Sequence, residues 1–221
     1  MIVTVTPNPS IDRTMTLPTA LVRGAVHRIG STSSEPGGKG VNVARALALA
    51  GLDVIAVLPA RPGDPILAGL QDIGLNIYAV PVTGAVRTNL AITEPDGTTT
   101  KLNEPGSVME SADIDALTRA VLEYAQSAQW VVLSGSLPPG MPEGWYADMV
   151  AALRPYPSKV AVDTSESPLA ALAHHLDRAA PDLIKPNAEE LAGLAGVTAQ
   201  SLESAVARGD AGPVVIAAQR L

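Results

Sequence analysis

The chain has 221 residues, 47% of them hydrophobic and 17% charged, so it can bury one full core and does not read as a disordered segment. Its formal net charge of −7 excludes a general binder of nucleic acid or of anionic membrane surfaces, though not a local basic pocket. Cysteine is absent, which excludes disulfides, thiolate metal sites and thiol catalysis; Phe is absent too, so Val, Leu, Ile and Ala must build the core.

The first residues, MIVTVTPNPSID, lack the basic start and long apolar run of a signal peptide. No apolar run reaches the roughly 18 residues expected of a membrane-spanning helix. Together these features predict a cytoplasmic protein with no membrane partner.

Apolar, strand-like runs are predicted at 2–6, 54–58, 77–80, 130–134, 160–163, 183–184 and 214–217. Most are short and continuous, as expected of strands covered on both faces. Helical patterns are predicted at 41–50, 66–73, 112–127, 142–153, 168–176 and 188–194. Strand and helix alternate, which predicts an α/β fold with a mainly parallel sheet and right-handed crossovers. Two stretches break the rhythm. Residues 14–32 are polar, and residues 87–103 carry the turn signal EPDGT between two alternating β-prone segments. These insertions predict a small antiparallel sheet standing over the C-terminal edge of the parallel strands, where such sheets bind ligands.

The loop PGGKGVNVARAL (36–47) runs from glycines into a helix. A nucleotide P-loop needs its lysine followed by Ser or Thr, but Val41 occurs two residues after Lys39 and Gly40 intervenes. An anion is still suited. Gly37, Gly38 and Gly40 allow close backbone approach, the helix start offers free N–H groups, and Lys39 adds a charge. Asn42 offers donors and an acceptor for a hydroxyl. A tight turn with a solvated lysine satisfies the same residues. In TPNPSID (6–12), Asp12 can accept from two sugar hydroxyls, or cap and pair locally. In 87–103, Arg87 and Lys101, with Asn89 and Asn103, supply cations and amides of the kind that hold phosphate, although surface hairpins often carry such residues. SGSLPPG (134–140) places Ser136 just after a strand. VDTS (162–165) ends another. LIKPNAEEL (183–191) contributes Lys185, and puts Asn187 and Glu190 on one face of a first helical turn. That pair can orient magnesium-bound water, and equally suits an N-terminal capping box.

In this order, TPNPSIDRT, EPGGKGVNVARAL, RTNLAITEPDGTTTKLNEPG, LSGSLPPG, VDTS and LIKPNAEEL resemble the ribokinase-like (PfkB) carbohydrate kinases, and most of all the 1-phosphofructokinase and tagatose-6-phosphate kinase branch. The resemblance covers residues 1–216. It implies a three-layer α/β/α core over 1–12, 36–86 and 105–221, incomplete at its C-terminal end, and a β lid over 13–35 and 87–104 that pairs two subunits. It implies that Asp12, Gly37, Gly38, Lys39, Asn42, Arg87, Lys101, Asn103 and Ser136 hold a ketohexose phosphate. Lys185, Asn187 and Glu190 would face ATP, the last two through magnesium. The implied reaction moves the γ-phosphoryl of ATP to a primary hydroxyl, with fructose 1-phosphate as the first candidate and tagatose 6-phosphate or fructose 6-phosphate as alternatives. The family's catalytic aspartate lies in a Gly-Ala-Gly-Asp turn, and no such run occurs in this sequence. Residues 217–221, AAQRL, stand where the resemblance expects another glycine turn. The chain is therefore expected to be inactive alone, and a non-catalytic sugar-phosphate-binding remnant is the second reading. The uncovered sheet edge and helix layer are expected to cause self-association.

Overall fold

A computed structural model describes residues 1–220. Parallel strands β1 (Ile2–Val5), β4 (Val54–Ala60), β5 (Ile77–Pro81), β8 (Trp130–Ser134), β9 (Lys159–Asp163) and β10 (Leu183–Ile184) form one sheet in the order β10-β9-β8-β1-β4-β5. The register puts Val3 between Ile55 and Val131, so β1 is flanked by neighbours on both sides. This is the α/β, mainly parallel arrangement that the apolar runs predict.

The second sheet contains β2 (Ser10–Thr16), β3 (Ser31–Gly37), β6 (Arg87–Thr93) and β7 (Thr99–Asn103), in the order β3-β2-β6-β7. It is mixed, not antiparallel as expected. The β2–β3 and β6–β7 pairs are antiparallel, but β2 and β6 run parallel, with Asp12 opposite Asn89. The physical reason is that both strands leave the main sheet by the same edge and travel outward together.

Helices α1 (Lys39–Leu49) and α2 (Pro65–Asp72) cover one face of the main sheet over β4 and β1, burying Val41, Ala44, Ile66 and Leu70 against Val54, Ala56 and Leu58. Each such aliphatic side chain contributes about 1.5–3 kcal/mol when fully buried. Asp64 starts α2: its Oδ1 accepts from the Ile66 N–H, its Oδ2 from the Val86 N–H just before β6, and Pro65 supplies the first helical φ. Helices α3 (Ser111–Ala125) and α4 (Trp145–Leu153) cover the opposite face, where Leu117, Val121, Tyr146 and Val150 meet Val3, Val5, Val131 and Leu133. α5 (Glu166–Ala173) and the short α6 (Leu176–Ala179) extend that layer.

The chain then leads into α7 (Ala188–Ala195), α8 (Ala199–Ala207) and α9 (Gly212–Ala218), which share a separate small core of Leu191, Ala192, Leu202 and Ala217. The run 214–217, expected as a strand, is therefore part of a helix. Pro213 sits in its first turn, and Val214 packs on the α7–α8 pair. The AAQRL stretch begins inside α9, and its last residue, Leu221, lies outside the described residues. On the first face, Trp130, Val132, Ala161 and Leu183 line an open apolar hollow beside Val43 and Leu47 of α1. The three-layer sandwich is thus closed over β1 and β4 and open over β8 to β10.

Candidate functional site

The C-terminal ends of β1, β8 and β9 meet the start of α1 and the base of the second sheet. Gly40 is buried against β1: a Cβ there would run into Thr6 Oγ1 and the Val5 carbonyl, so only glycine lets α1 begin so close to the strand. Gly38, with φ of 113°, is the N-cap, and the helix begins at Lys39 rather than at residue 41. Asn42 follows in the first turn and is exposed. Gly37 ends β3 next to Asp12, whose carboxylate occupies the space a Gly37 side chain would need.

Register sets the second sheet's polar face. Ser10 pairs with Gly37 and Arg87, and Asp12 pairs with Glu35 and Asn89. Asn89 pairs in turn with Asn103. Asp12 Oδ1 accepts from Ser10 Oγ at 2.7 Å and from Asn89 Nδ2 at 3.0 Å. A cavity is lined by Asp12, Arg13, Thr14, Asn89, Lys101 and Asn103. Of the hairpin residues flagged in the sequence, Asn89, Lys101 and Asn103 are thereby brought beside Asp12, while Arg87 lines a second hollow with Asn8.

Arg87 begins β6. Its Nη1 donates to the Glu104 carbonyl at 2.9 Å and its Nη2 to Ser136 Oγ at 3.4 Å. Burial lowers the guanidinium pKa from its ordinary value, while the Asp12 and Glu104 carboxylates pull it back up. An arginine guanidinium keeps its proton in proteins, so the group remains a cation that only donates. Among the described residues, Arg87 Nε, Asn89 Oδ1, Thr6 Oγ1 and Ser134 Oγ are buried polar atoms without a hydrogen-bond partner. Each costs free energy unless something pairs with it, and they cluster along this edge.

Lys39 and Lys185 meet at one carboxylate. Asp163, at the end of β9, receives Lys39 Nζ at 3.3 Å and Lys185 Nζ at 3.5 Å on the same oxygen. Asp163 lies in the VDTS stretch noted in the sequence, which assigns it no role; the sheet order is what brings two lysines to it. Two residues on, Ser165 precedes Glu166, which holds φ of 56° at the start of α5. Such strain in a non-glycine residue is typical of sites where the backbone is over-determined.

Asn187 and Glu190 form a reciprocal capping box. Asn187 N–H donates to Glu190 Oε2 at 2.8 Å, and Glu190 N–H donates to Asn187 Oδ1 at 2.9 Å. The same two residues line a cavity with Ser165 and Glu166. No group of three His, Cys, Asp or Glu residues able to hold a metal occurs among the described residues. Asn187 and Glu190 are oxygen donors, of the kind that could meet a magnesium ion through its water shell but not cage one.

Sequence reasoning also missed Asn8, Tyr146 and Thr164. Asn8 is buried and donates to the Pro105 carbonyl at 3.0 Å. Tyr146 and Thr164 hydroxyls both donate to the Gly135 carbonyl, at 2.8 and 2.9 Å. Full burial raises the Tyr146 phenol pKa far above its ordinary value, so it remains a neutral donor.

Residues 5–217 match the pfkB family carbohydrate kinases. The 1-phosphofructokinase of Rhodobacter capsulatus is 38% identical over 208 residues, covering 92% of this chain and 64% of that protein. The 1-phosphofructokinase of Vibrio cholerae serotype O1 is 36% identical over 192 residues, covering 86% of this chain and 59% of that protein. The crystal structure of phosphofructokinase-2 from Escherichia coli in complex with fructose-6-phosphate superposes with a TM-score of 0.81 at 29% identity, over 89% of this chain and 64% of that one. The chain spans less than two thirds of the length of these relatives.

Proposed function

Because this chain belongs to the pfkB family of carbohydrate kinases, we propose that it forms the acceptor half of an ATP-dependent kinase for a ketohexose phosphate, with fructose 1-phosphate as the substrate. The observation that carries this reading is the convergence of Asp12, Asn89 and Arg87 across paired strands, with donors and acceptors left open.

In this reading Asp12, fixed by Ser10 and Asn89, accepts from sugar hydroxyls. Arg87 and Ser136 grip the phosphate the sugar already carries, with Lys101 and Asn103 in the cavity beside Asp12 on the same sheet. Lys39 and Asn42, with the Gly37–Gly38 backbone, face the reacting end of the sugar. Lys185, Asn187 and Glu190 are the residues that would face ATP and magnesium. Bound there, ATP would supply the phosphoryl group, and magnesium would neutralise the charge that develops on it. The C6 hydroxyl oxygen would bond to the γ-phosphorus, the bond to the bridging oxygen would break, and the hydroxyl proton would pass to a carboxylate base. This sequence contains no Gly-Ala-Gly-Asp run to provide that base. On this reading these 221 residues bind the acceptor, and transfer by them alone is not expected. The apolar side chains of the second sheet support a homodimer through the lid, with Leu102 half exposed there.

Two features favour a phosphorylated sugar over a plain sugar or a nucleoside: the charged Arg87 and the nearby Lys101. An uncharged substrate needs no such cations. Equilibrium dialysis against fructose 1-phosphate, fructose 6-phosphate, tagatose 6-phosphate, ribose and adenosine tests this. Fructose 1-phosphate is expected to bind most tightly. Tighter binding of ribose or adenosine than of any ketohexose phosphate overturns the assignment.

A further inference from the structure

Asn8 occupies the junction of the two sheets, two residues before β2, and is only 6% exposed. Its Nδ2 lies 3.0 Å from the Pro105 carbonyl oxygen, 3.5 Å from that of Leu137 and 3.4 Å from Ser136 Oγ. Carbonyl oxygens only accept, so the end of the amide that faces two of them is the NH2 end. Its other end, Oδ1, sits where a Gly106 side chain would be, and Gly106 has φ of 97°. The amide orientation is thus fixed from both sides.

An amide nitrogen donates and never accepts, so in the Asn8–Ser136 contact the hydroxyl is the acceptor; the Pro105 carbonyl takes one N–H and the Ser136 and Leu137 oxygens share the other. From the hydroxyl's other flank comes Arg87 Nη2, and a guanidinium also only donates. A serine oxygen has two acceptor positions and one proton. Both acceptor positions are taken by donors, and the proton is left to point at a third group. The loop cannot turn to escape this, because the neighbouring Gly135 carbonyl is held by the buried Tyr146 and Thr164 hydroxyls. Arg87 itself is held by the Glu104 carbonyl, and its buried Nε has no partner among the described residues. Two donors therefore stand without acceptors on adjoining side chains. A group with several acceptor oxygens, such as a phosphate, satisfies both.

We infer that Asn8 is a positioning residue: its amide sets the polarity of the Ser136 hydroxyl, so that this hydroxyl donates to an anion held by Arg87. The inference rests on the reading of Arg87 as an anion grip. Asn8 does not touch the anion and acts only through Ser136.

The test is a double-mutant cycle on the 221-residue chain, with inorganic phosphate as the probe and calorimetry as the readout. Asn8→Ala removes the donor and frees the Ser136 hydroxyl to rotate. Asn8→Ala and Ser136→Ala are each expected to weaken phosphate binding about tenfold, and the double variant also about tenfold, not a hundredfold. Where Asn8→Ala fails to fold, Asn8→Asp keeps the shape and puts an acceptor in place of the donor; adding Ser136→Ala to it is expected to cost little more. An additive double variant overturns the inference. So does an Asn8→Ala variant that melts earlier yet binds phosphate within about twofold of the parent. A parent chain with no affinity for phosphate overturns it as well. The expected cycle with inorganic phosphate, but no preference for fructose 1-phosphate over fructose, overturns the substrate assignment alone and leaves Asn8 its role.

Discussion

The two ends of the binding edge are built differently. At the end formed by β2, β6 and the loop after β8, each polar group is placed by something else. Strand register sets Asp12 opposite Asn89, a buried amide sets Ser136, and a carbonyl sets Arg87. At the end formed by β9, β10 and α7, Lys185 is 69% exposed and reaches only Asp163, while Asn187 and Glu190 hold each other. The sheet beneath that end presents its apolar hollow at Trp130, Val132 and Ala161. Preorganisation is what turns polar residues into a binding site, because fixed groups do not lose their freedom when the ligand arrives. By that standard the proposed acceptor site lies at the first end, and the second end shows no comparable preorganisation among the described residues.

Substitutions can break this comparison. The largest effect is expected from Asp12→Asn. The change keeps the shape and leaves one oxygen for Ser10 Oγ and Asn89 Nδ2, which both reach Oδ1, but it removes the charge and puts an NH2 donor where Oδ2 would accept from a sugar hydroxyl. Losing hydrogen bonds to a charged acceptor costs about 1.5–3 kcal/mol, so sugar-phosphate affinity should fall by about 10- to 100-fold, measured by calorimetry. An unchanged affinity would mean that the register of β2 and β6 does not build the sugar site. A smaller effect, and of a different kind, is expected from Asn187→Ala. It removes the capping box of α7 and should lower folding stability by about 1 kcal/mol in a urea titration, with no change in sugar-phosphate affinity. A loss of sugar-phosphate affinity from Asn187→Ala would show that the two ends are one site.

Much of the fold was legible because the core strands are continuous apolar runs between helical patterns, a signal set by burial on both faces. The run at 214–217 misled for the same reason: short apolar runs look alike in a buried strand and in a helix, and here Pro213 and the contacts of Val214 decide for the helix. α8 was passed over, although Thr198 caps it as a helix start should be capped. The EPDGT turn announced β6 and β7. Nothing local announced that β2 and β6 would pair in parallel, because that contact joins residues 77 apart, such as Asp12 and Asn89. The site residues followed the same rule. Asp12, Lys39 and Arg87 could be given roles from their chemistry within their motifs, whereas Asn8 and Asp163, though inside TPNPSID and VDTS, gain their partners only from tertiary contacts. Asn187 and Glu190 were visible as a pair, and the capping box the spacing equally allowed is the bond they make.

The central proposal is that these 221 residues hold the acceptor and do not by themselves phosphorylate it. A phosphorus NMR time course of the 221-residue chain with fructose 1-phosphate, ATP and magnesium tests both parts in one sample. The account predicts that the fructose 1-phosphate resonance shifts or broadens on adding protein, while the ATP resonances persist and no fructose 1,6-bisphosphate appears. Steady formation of the bisphosphate with release of ADP, abolished by Lys39→Ala, would contradict it.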